Sequence, residues 1–350
     1  MAGELILILR DFFAPGDESL VDTAVPRLPA LETLLATARR DILARGWRAE
    51  FAARFGGGLS LVGLPLAEAV ANAWLGRSRS SPSPSPSPSQ SPSARYWLAT
   101  PVYYFAGLDS VQLHPAGLLE MPLEAQAALA SDFNAVFADD HWRLHATGRR
   151  ELLLAGPALE ADGDDPARFL GSKLGRQQMR GAGAPELRRL AVEIEMWLHE
   201  HAINRQRQSS GELLVSGLWL WGSEPLLRTA SEARPERALA DVRLYGRDTV
   251  AEALWRRRAG TSAPLPERLA MVLESTADAH VVLYPTAGME GATRALERLE
   301  EDWLAPALAA LRTGALAAVQ LLAGTHAYHL RRLNLARFWR ARSPWQEALA

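Results

Sequence analysis

The chain reads as an α/β protein: a layered core interrupted by a smaller α+β lobe. Three observations predict this. The apolar run Leu5–Leu9, closed by Arg10 and Asp11, has the continuous hydrophobicity of a strand buried on both faces, as in a parallel sheet. A second such strand-and-helix pattern returns near the other end, in AHVVLYP (Ala279–Pro285) followed by TRALERLEEDWLAPALAALRTG and AAVQLLAG. Between them, from Tyr96, the pattern switches to short strands and single helices.

Taken in order, Pro26 and Pro29 lead from the first strand into LETLLATARRDILARGW. There Leu31, Leu34, Leu35, Ala38 and Ile42 recur at helical spacing and predict one helix. Asp11 then stands at the C-terminal end of a parallel strand, where open α/β sheets place ligand-contacting residues, although a lone Asp also serves there as a loop acceptor or helix cap. The segment RSRSSPSPSPSPSQSPSAR, Arg77–Arg95, has almost no apolar surface to offset ordering entropy and reads as an extended linker or loop insertion. YWLATPVYYFAG and SVQLHPAGLL are expected strands. MPLEAQAALASDFNAVFA is an expected helix, and HWRLHATGRRELLLAG an expected hairpin pair. Pro185 opens a helix with Leu187, Leu190, Ile194 and Leu198 on one stripe. LLVSGLWLWG follows as a strand, and the stretch from there to Ala279 reads as a polar loop. The boundaries that result are 1–76 for the first part of the core, 77–95 for the linker, 96–212 for the lobe, 213–342 for the second part of the core and 343–350 for a tail.

Composition narrows the function. Of 350 residues, 48% are hydrophobic and 22% charged, which is ordinary for a globular chain. A formal net charge of -2 gives no overall attraction to nucleic acid or an anionic membrane. The absence of cysteine excludes disulfides, thiolate chemistry and cysteine metal sites. Leu5–Leu9 is too short for a signal-peptide core, and no stretch approaches the roughly 18 apolar residues of a membrane span. The expectation is a soluble, cytoplasmic protein with no membrane partner.

The polar end of the expected helix, HEHAINRQRQSSG, carries the densest set of candidate residues. His199 and His201 are two apart, so they point to different faces and do not form an i, i+4 metal pair. Basic residues at a helix C-terminus are also favoured by the helix dipole, typically by about 0.3–1 kcal/mol each. Asn204 in a post-helix turn suits capping or clamping of a neighbouring loop. Trp219 and Trp221 share one face of a strand, which suits core packing with each indole N–H bonded nearby, or an aromatic ligand platform. Five arginines between Arg331 and Arg342, interleaved with Phe338, Trp339 and Trp345, could bind nucleic acid, but a tail whose aromatics dock while its arginines snorkel is the preferred reading.

The stretch EIEMWLHEHAINRQRQSSGELLVSGLWLWG resembles a motif of a proteobacterial family of regulatory proteins of the pathogenicity-factor E (RpfE) type. Glu193, Met196, His199, His201, Asn204, Arg207, Gly211, Trp219, Trp221 and Gly222 match its pattern. TPVYYFAGLDSVQLHP, DWLAPALAALRTGAL and LARFWR are similar to other parts of that family, so the likeness spans most of the chain outside the Ser-Pro insert. That family in turn is similar to archaeal-type cofactor-independent phosphoglycerate mutases of the alkaline-phosphatase superfamily. The resemblance implies an alkaline-phosphatase-like core with an inserted lobe. Such mutases hold two divalent metals and a transiently phosphorylated serine or threonine. Asp11 matches one of their ligands. The stretch GLSLVGLPLAEAVANAWLG, however, has Ser60 with no Asp beside it. PTAGMEGATRALE has Met289 where a His is expected, and no Asp lies between Asp278 and Asp302.

No catalytic residue, metal ligand or cofactor is therefore expected. The expected function is a non-catalytic regulatory protein that binds a small phosphorylated or carboxylate ligand, or a protein partner, with Asp11, His201, Asn204 and Arg207 as candidate ligand-binding residues. Asn204 and Arg207 would face a cleft. An active metal-dependent mutase or phosphohydrolase and a nucleic-acid-associated regulator are the alternatives, and nucleic acid is the less expected partner.

Overall fold

In a computed structural model of the protein, the described residues are 3–12, 26–55, 65–76, 94–107, 110–137, 139–174, 179–225, 241–257, 260–286, 292–336 and 342–349. The elements run β1 (Gly3–Arg10), α1 (Pro29–Thr37), β2 (Arg39–Ile42), α2 (Trp47–Phe55), α3 (Leu66–Trp74), β3 (Arg95–Ala106), β4 (Val111–Leu118), α4 (Leu123–Val136), β5 (Arg143–His145), β6 (Leu152–Gly156), β7 (Asp162–Gly163) and β8 (Met179–Arg180). They continue with α5 (Ala184–His199), α6 (Ala202–Ser209), β9 (Gly217–Trp221), β10 (Val242–Tyr245), α7 (Thr249–Arg257), α8 (Leu269–Leu273), β11 (Ala279–Pro285) and α9 (Ala292–Arg298). A π-helical turn (Leu299–Leu304), α10 (Ala305–Thr313), β12 (Leu316–Ala323), β13 (His326–Arg331) and α11 (Trp345–Leu349) complete the described elements. Most of the Ser-Pro segment, Ser60, Met289, Phe338 and Trp339 lie outside the described residues. Among the described residues no helix is long and apolar enough to cross a membrane.

The chain divides into two compact units. One comprises Met1–Glu50, Ala233–Arg247 and Thr261–Ala350, the other Phe51–Glu232 and Asp248–Gly260. The first unit is built on a six-stranded sheet in the order β10-β11-β1-β12-β13-β2. β1 lies inside it, parallel to β11 on one side and β12 on the other, so its unbroken run Leu5–Leu9 is buried on both faces. Leu5, Leu7 and Leu9 join Leu31, Leu34, Leu299, Trp303, Leu308, Leu311 and Trp345 in one core cluster, each full burial of an aliphatic side chain contributing roughly 1.5–3 kcal/mol.

The single helix expected over Leu31–Trp47 is in fact shorter. α1 ends at Thr37, Ala38 is extended, and Arg39–Ile42 forms the edge strand β2 against β13. Leu31 and Leu34 do enter the core, but Ile42 is 77% exposed and never belonged to the buried stripe. The open edge of β13 offers Arg39–Ile42 backbone partners along one side, which outweighs the modest helical preference of a polar RRDI segment.

The second unit carries β3 at the centre of an antiparallel sheet, paired with β4, β6 and β9, with β5 beyond β6. The expected strands, the helix α4 and the hairpin pair β5–β6 are all present. α5 starts with a proline in its first turn, and Leu187, Leu190, Ile194 and Leu198 are buried in the cluster beneath this sheet. Two boundaries differ from those expected. The Trp-bearing strand was assigned to the core, but β9 pairs antiparallel with Leu98–Val102 of β3, and Trp221 Nε1 donates to Thr100 Oγ1 at 2.9 Å. Residues 51–76, also assigned to the core, belong to this unit as well. The expected polar loop after Gly222 contains β10, α7 and α8; α7 is capped by Asp248, whose Oδ1 accepts from the N–H groups of Val250 and Ala251, both at 3.0 Å.

Candidate functional site

In the first unit, β1, β11 and β10 end side by side, and their C-terminal edge gathers a small polar group. Arg10 is the last residue of β1, and Asp11 takes a left-handed backbone conformation (φ 56) that Asp tolerates better than most residues. Arg10 Nη1 donates to the carbonyl of Arg247, just beyond β10. Its Nη2 lies 3.7 Å from Asp11 Oδ2, with both side chains nearly buried. The carbonyl of Arg10 accepts from Thr286 Oγ1 at 2.6 Å and from Thr286 N at 3.3 Å, which ties the end of β11 to the end of β1. The edge is thus cross-linked by hydrogen bonds, and the carboxylate of Asp11 faces a fixed cation of the chain itself.

That donor set does not suit the two-metal centre implied by the mutase resemblance. A divalent cation needs several clustered carboxylates or imidazoles, and a guanidinium held against the one matched carboxylate opposes a second cation there. Among the described residues no group of three or more His, Cys, Asp or Glu could hold a metal ion.

The other three sequence candidates lie in the second unit, on α6 and its N-cap. His201 is its N-cap: Nδ1 accepts from Ile203 N at 3.2 Å, and Nε2 lies 3.2 Å from Asp132 Oδ2 on α4. Its ring packs on Trp197, with centroids 4.6 Å apart. Asn204 is buried and points into the unit, against the cleft-facing expectation. Its Nδ2 donates to the carbonyls of Leu198 (2.8 Å) and Val215 (2.9 Å), while its Oδ1 accepts from Val215 N at 2.8 Å. The amide therefore spends its two N–H groups and its oxygen on backbone, stitching the end of α5 to the segment entering β9. Arg207 Nε donates to Leu213 O at 2.6 Å and Nη1 lies 3.1 Å from Glu212 Oε2, so it too caps local structure. The structure brings His201, Asn204 and Arg207 together on one short helix as capping groups, whereas Asp11 belongs to the other unit.

The rest of the motif is likewise accounted for by packing. Glu195 turns inward beside Gly217, where an added Cβ would meet its Cγ at 3.1 Å. Burial pushes the Glu195 carboxyl above the usual carboxylate range, and burial followed by the charge of Glu195 pushes the Tyr104 hydroxyl up. Trp219 Nε1 donates to Asp164 O at 2.8 Å. After β9 the chain turns over the buried Asp162, whose Oδ1 and Oδ2 accept from Ser223 N (2.8 Å) and Glu224 N (3.2 Å). Burial raises the Asp162 carboxyl above its ordinary value, these two bonds working against the shift.

Arg10, Arg247 and Thr286 were not singled out from sequence. The available signal for Arg10 and Thr286 was position, since each stands at the C-terminal end of an apolar strand.

Taken together, the fold and this edge define a mixed α/β protein with a largely parallel sheet, a second antiparallel-sheet unit and an internally neutralised carboxylate at the sheet's C-terminal edge. Two solved structures are similar to the chain, both at low identity; the first is a cofactor-independent phosphoglycerate mutase. The enzyme from Thermoplasma acidophilum is 16% identical, with 95% of this chain and 90% of that one covered and a TM-score of 0.38. The PH0037 protein from Pyrococcus horikoshii is 13% identical, with 94% and 86% covered and a TM-score of 0.39. No protein-family model matches the chain, and no curated protein matches it in sequence.

Proposed function

We infer that the protein is a non-catalytic, cytoplasmic binding protein of the RpfE regulatory type, with a core of alkaline-phosphatase kind that has lost the mutase chemistry. The observation that carries this reading is the Arg10–Asp11 pair. An enzyme that used Asp11 as a metal ligand would need that carboxylate turned to a divalent cation; here a guanidinium of the same strand end takes the position of counter-charge. The same guanidinium is a cation at the strand-end edge where α/β sheets receive ligands, which favours a small phosphorylated or carboxylate acid over a neutral ligand. His201, Asn204 and Arg207 are left out of this reading, because they belong to the other unit, away from the strand-end edge.

The test pairs elemental analysis of untagged protein with mutase and phosphatase assays and calorimetric titration of 3-phosphoglycerate. The expected result is no turnover, no stoichiometric metal pair, and binding of the acid that Arg10→Ala abolishes. Two metals per chain, lost together with turnover in Asp11→Ala, would overturn the reading.

A further inference from the structure

Helix α1 starts without a cap of its own. Its N-cap residue is Leu28, which offers no side-chain acceptor, and Pro29 occupies the first turn. The N–H groups of Ala30 and Leu31 are nevertheless satisfied, by a carboxylate 270 positions further along the chain from Ala30. Glu300 Oε1 accepts from Ala30 N at 2.5 Å and Oε2 from Leu31 N at 3.1 Å. Glu300 is buried, and it sits in the π-helical turn between α9 and α10, where Ala305 N reaches back five residues to Glu300 O. A wide turn of this kind offsets side chains from the regular helical rows, and such turns recur at functional positions.

We propose that Glu300 is an acid-responsive latch: as a carboxylate it clamps the start of α1 to the π-helical turn, and when it takes a proton from solvent the clamp loosens. The two-point geometry requires both oxygens to be acceptors. A proton on one of them turns that oxygen into an O–H, which leaves one backbone N–H facing a donor and takes the negative charge away from the positive end of the helix.

The surroundings place the response above the ordinary carboxylate range. Burial raises the Glu300 carboxyl above the ordinary carboxylate range; its two backbone bonds oppose this, and the charges of Glu32 and Glu301 add to it. Glu32 lies in the first turn of α1 and is itself nearly buried, 3.4 Å from the guanidinium of the exposed Arg27. The other elements packed on α1 carry Arg312 (α10), Glu347 (α11), and His326, His329 and Arg331 (β13). Because the folded value lies above the unfolded one, the folded chain holds this proton more tightly through the window between them. Acidification there costs no global stability on this residue's account, and the loosening is local: Glu300 stays buried but loses its two backbone donors, so it holds the proton more tightly than in the clamped state, and acid favours the loosened form.

The test is amide hydrogen exchange of the full chain, read as protection of Ala30 and Leu31 relative to the intrinsic rate, from neutral into mildly acidic solution. Protection at these two amides is expected to fall about tenfold through the titration, the size of losing a charge-assisted helix cap. In Glu300→Gln it is expected to be low and independent of pH. Glu32→Gln removes a like charge that raises the Glu300 carboxyl and is expected to move the transition to lower pH while leaving the cap in place. Protection in the parent that does not change with pH would show a merely structural cap and overturn the latch. An unmoved midpoint in Glu32→Gln would overturn it as well, even if Glu300→Gln does not fold.

Discussion

Replacing Asn204 by alanine separates a structural clamp from a ligand site. The side chain makes three backbone hydrogen bonds inside the second unit, to Leu198 O, Val215 O and Val215 N. Leu198 O keeps a second donor, the N–H of His201 at 3.1 Å, so it is not orphaned. Both polar groups of Val215 lose their side-chain partner, and this residue is fully buried. At about 1–3 kcal/mol for each of the two buried groups left unsatisfied, the cost is about 2–6 kcal/mol, with water entry pulling it toward the lower end. Asn204→Asp is expected to be no better despite its equal size, since a carboxylate cannot donate to two carbonyls. Urea denaturation followed by tryptophan fluorescence reads the effect, because Trp197 adjoins Leu198 and Trp219 and Trp221 stand on the strand that follows Val215. A loss below about 1 kcal/mol, or an unchanged midpoint accompanied by lost binding of small phosphorylated acids, would refute the clamp and restore Asn204 to a ligand site.

Other perturbations follow from the same geometry. Gly181→Ala is expected to destabilise the second unit strongly, because φ is 98 there and an added Cβ would lie 2.1 Å from Glu160 O; an unchanged thermal midpoint would contradict this. Asp162 has a raised folded value, so on its account stability falls as pH rises from the ordinary Asp range through that value. Asp162→Asn should flatten this part of the denaturation midpoint against pH. Deleting Ser80–Ser93 shortens a low-complexity connection whose closure entropy changes by only about 0.6 kcal/mol per doubling of length. The melting temperature should stay close to that of the parent, and unfolding at body temperature would refute the linker reading.

What could be read from the sequence divides along physical lines. β1, β11 and β12 were legible because strands buried on both faces are nearly pure in apolar residues, and α5 because its buried stripe keeps strict helical spacing. β2 was misread because RRDI has no strand pattern; its conformation is set by β13, nearly three hundred residues away. α7 was legible but missed: Asp248 before TVAEALW is an N-cap signal followed by an apolar face. At the candidate sites, sequence located Asp11 at a strand end but could not show that the neighbouring Arg10 would fold back to pair with it. Asn204 was recognised as either a clamp or a ligand contact, and the choice rested on Val215, whose position depends on tertiary structure.

The place of β1 in its sheet also has a consequence for how the protein is made. On the ribosome, Leu5–Leu9 emerges well before both strands that cover its edges, which begin at Ala279 and Leu316. The antiparallel sheet around β3 needs nothing beyond Trp221 and can assemble while β1 is still waiting. Through that interval a five-residue apolar segment with two open edges is exposed, the kind of segment that pairs with other chains. The charged Arg10 and Asp11 directly behind it act as gatekeepers against such pairing. Slow translation or loss of nascent-chain chaperones should therefore harm the yield of this protein more than its equilibrium stability would suggest.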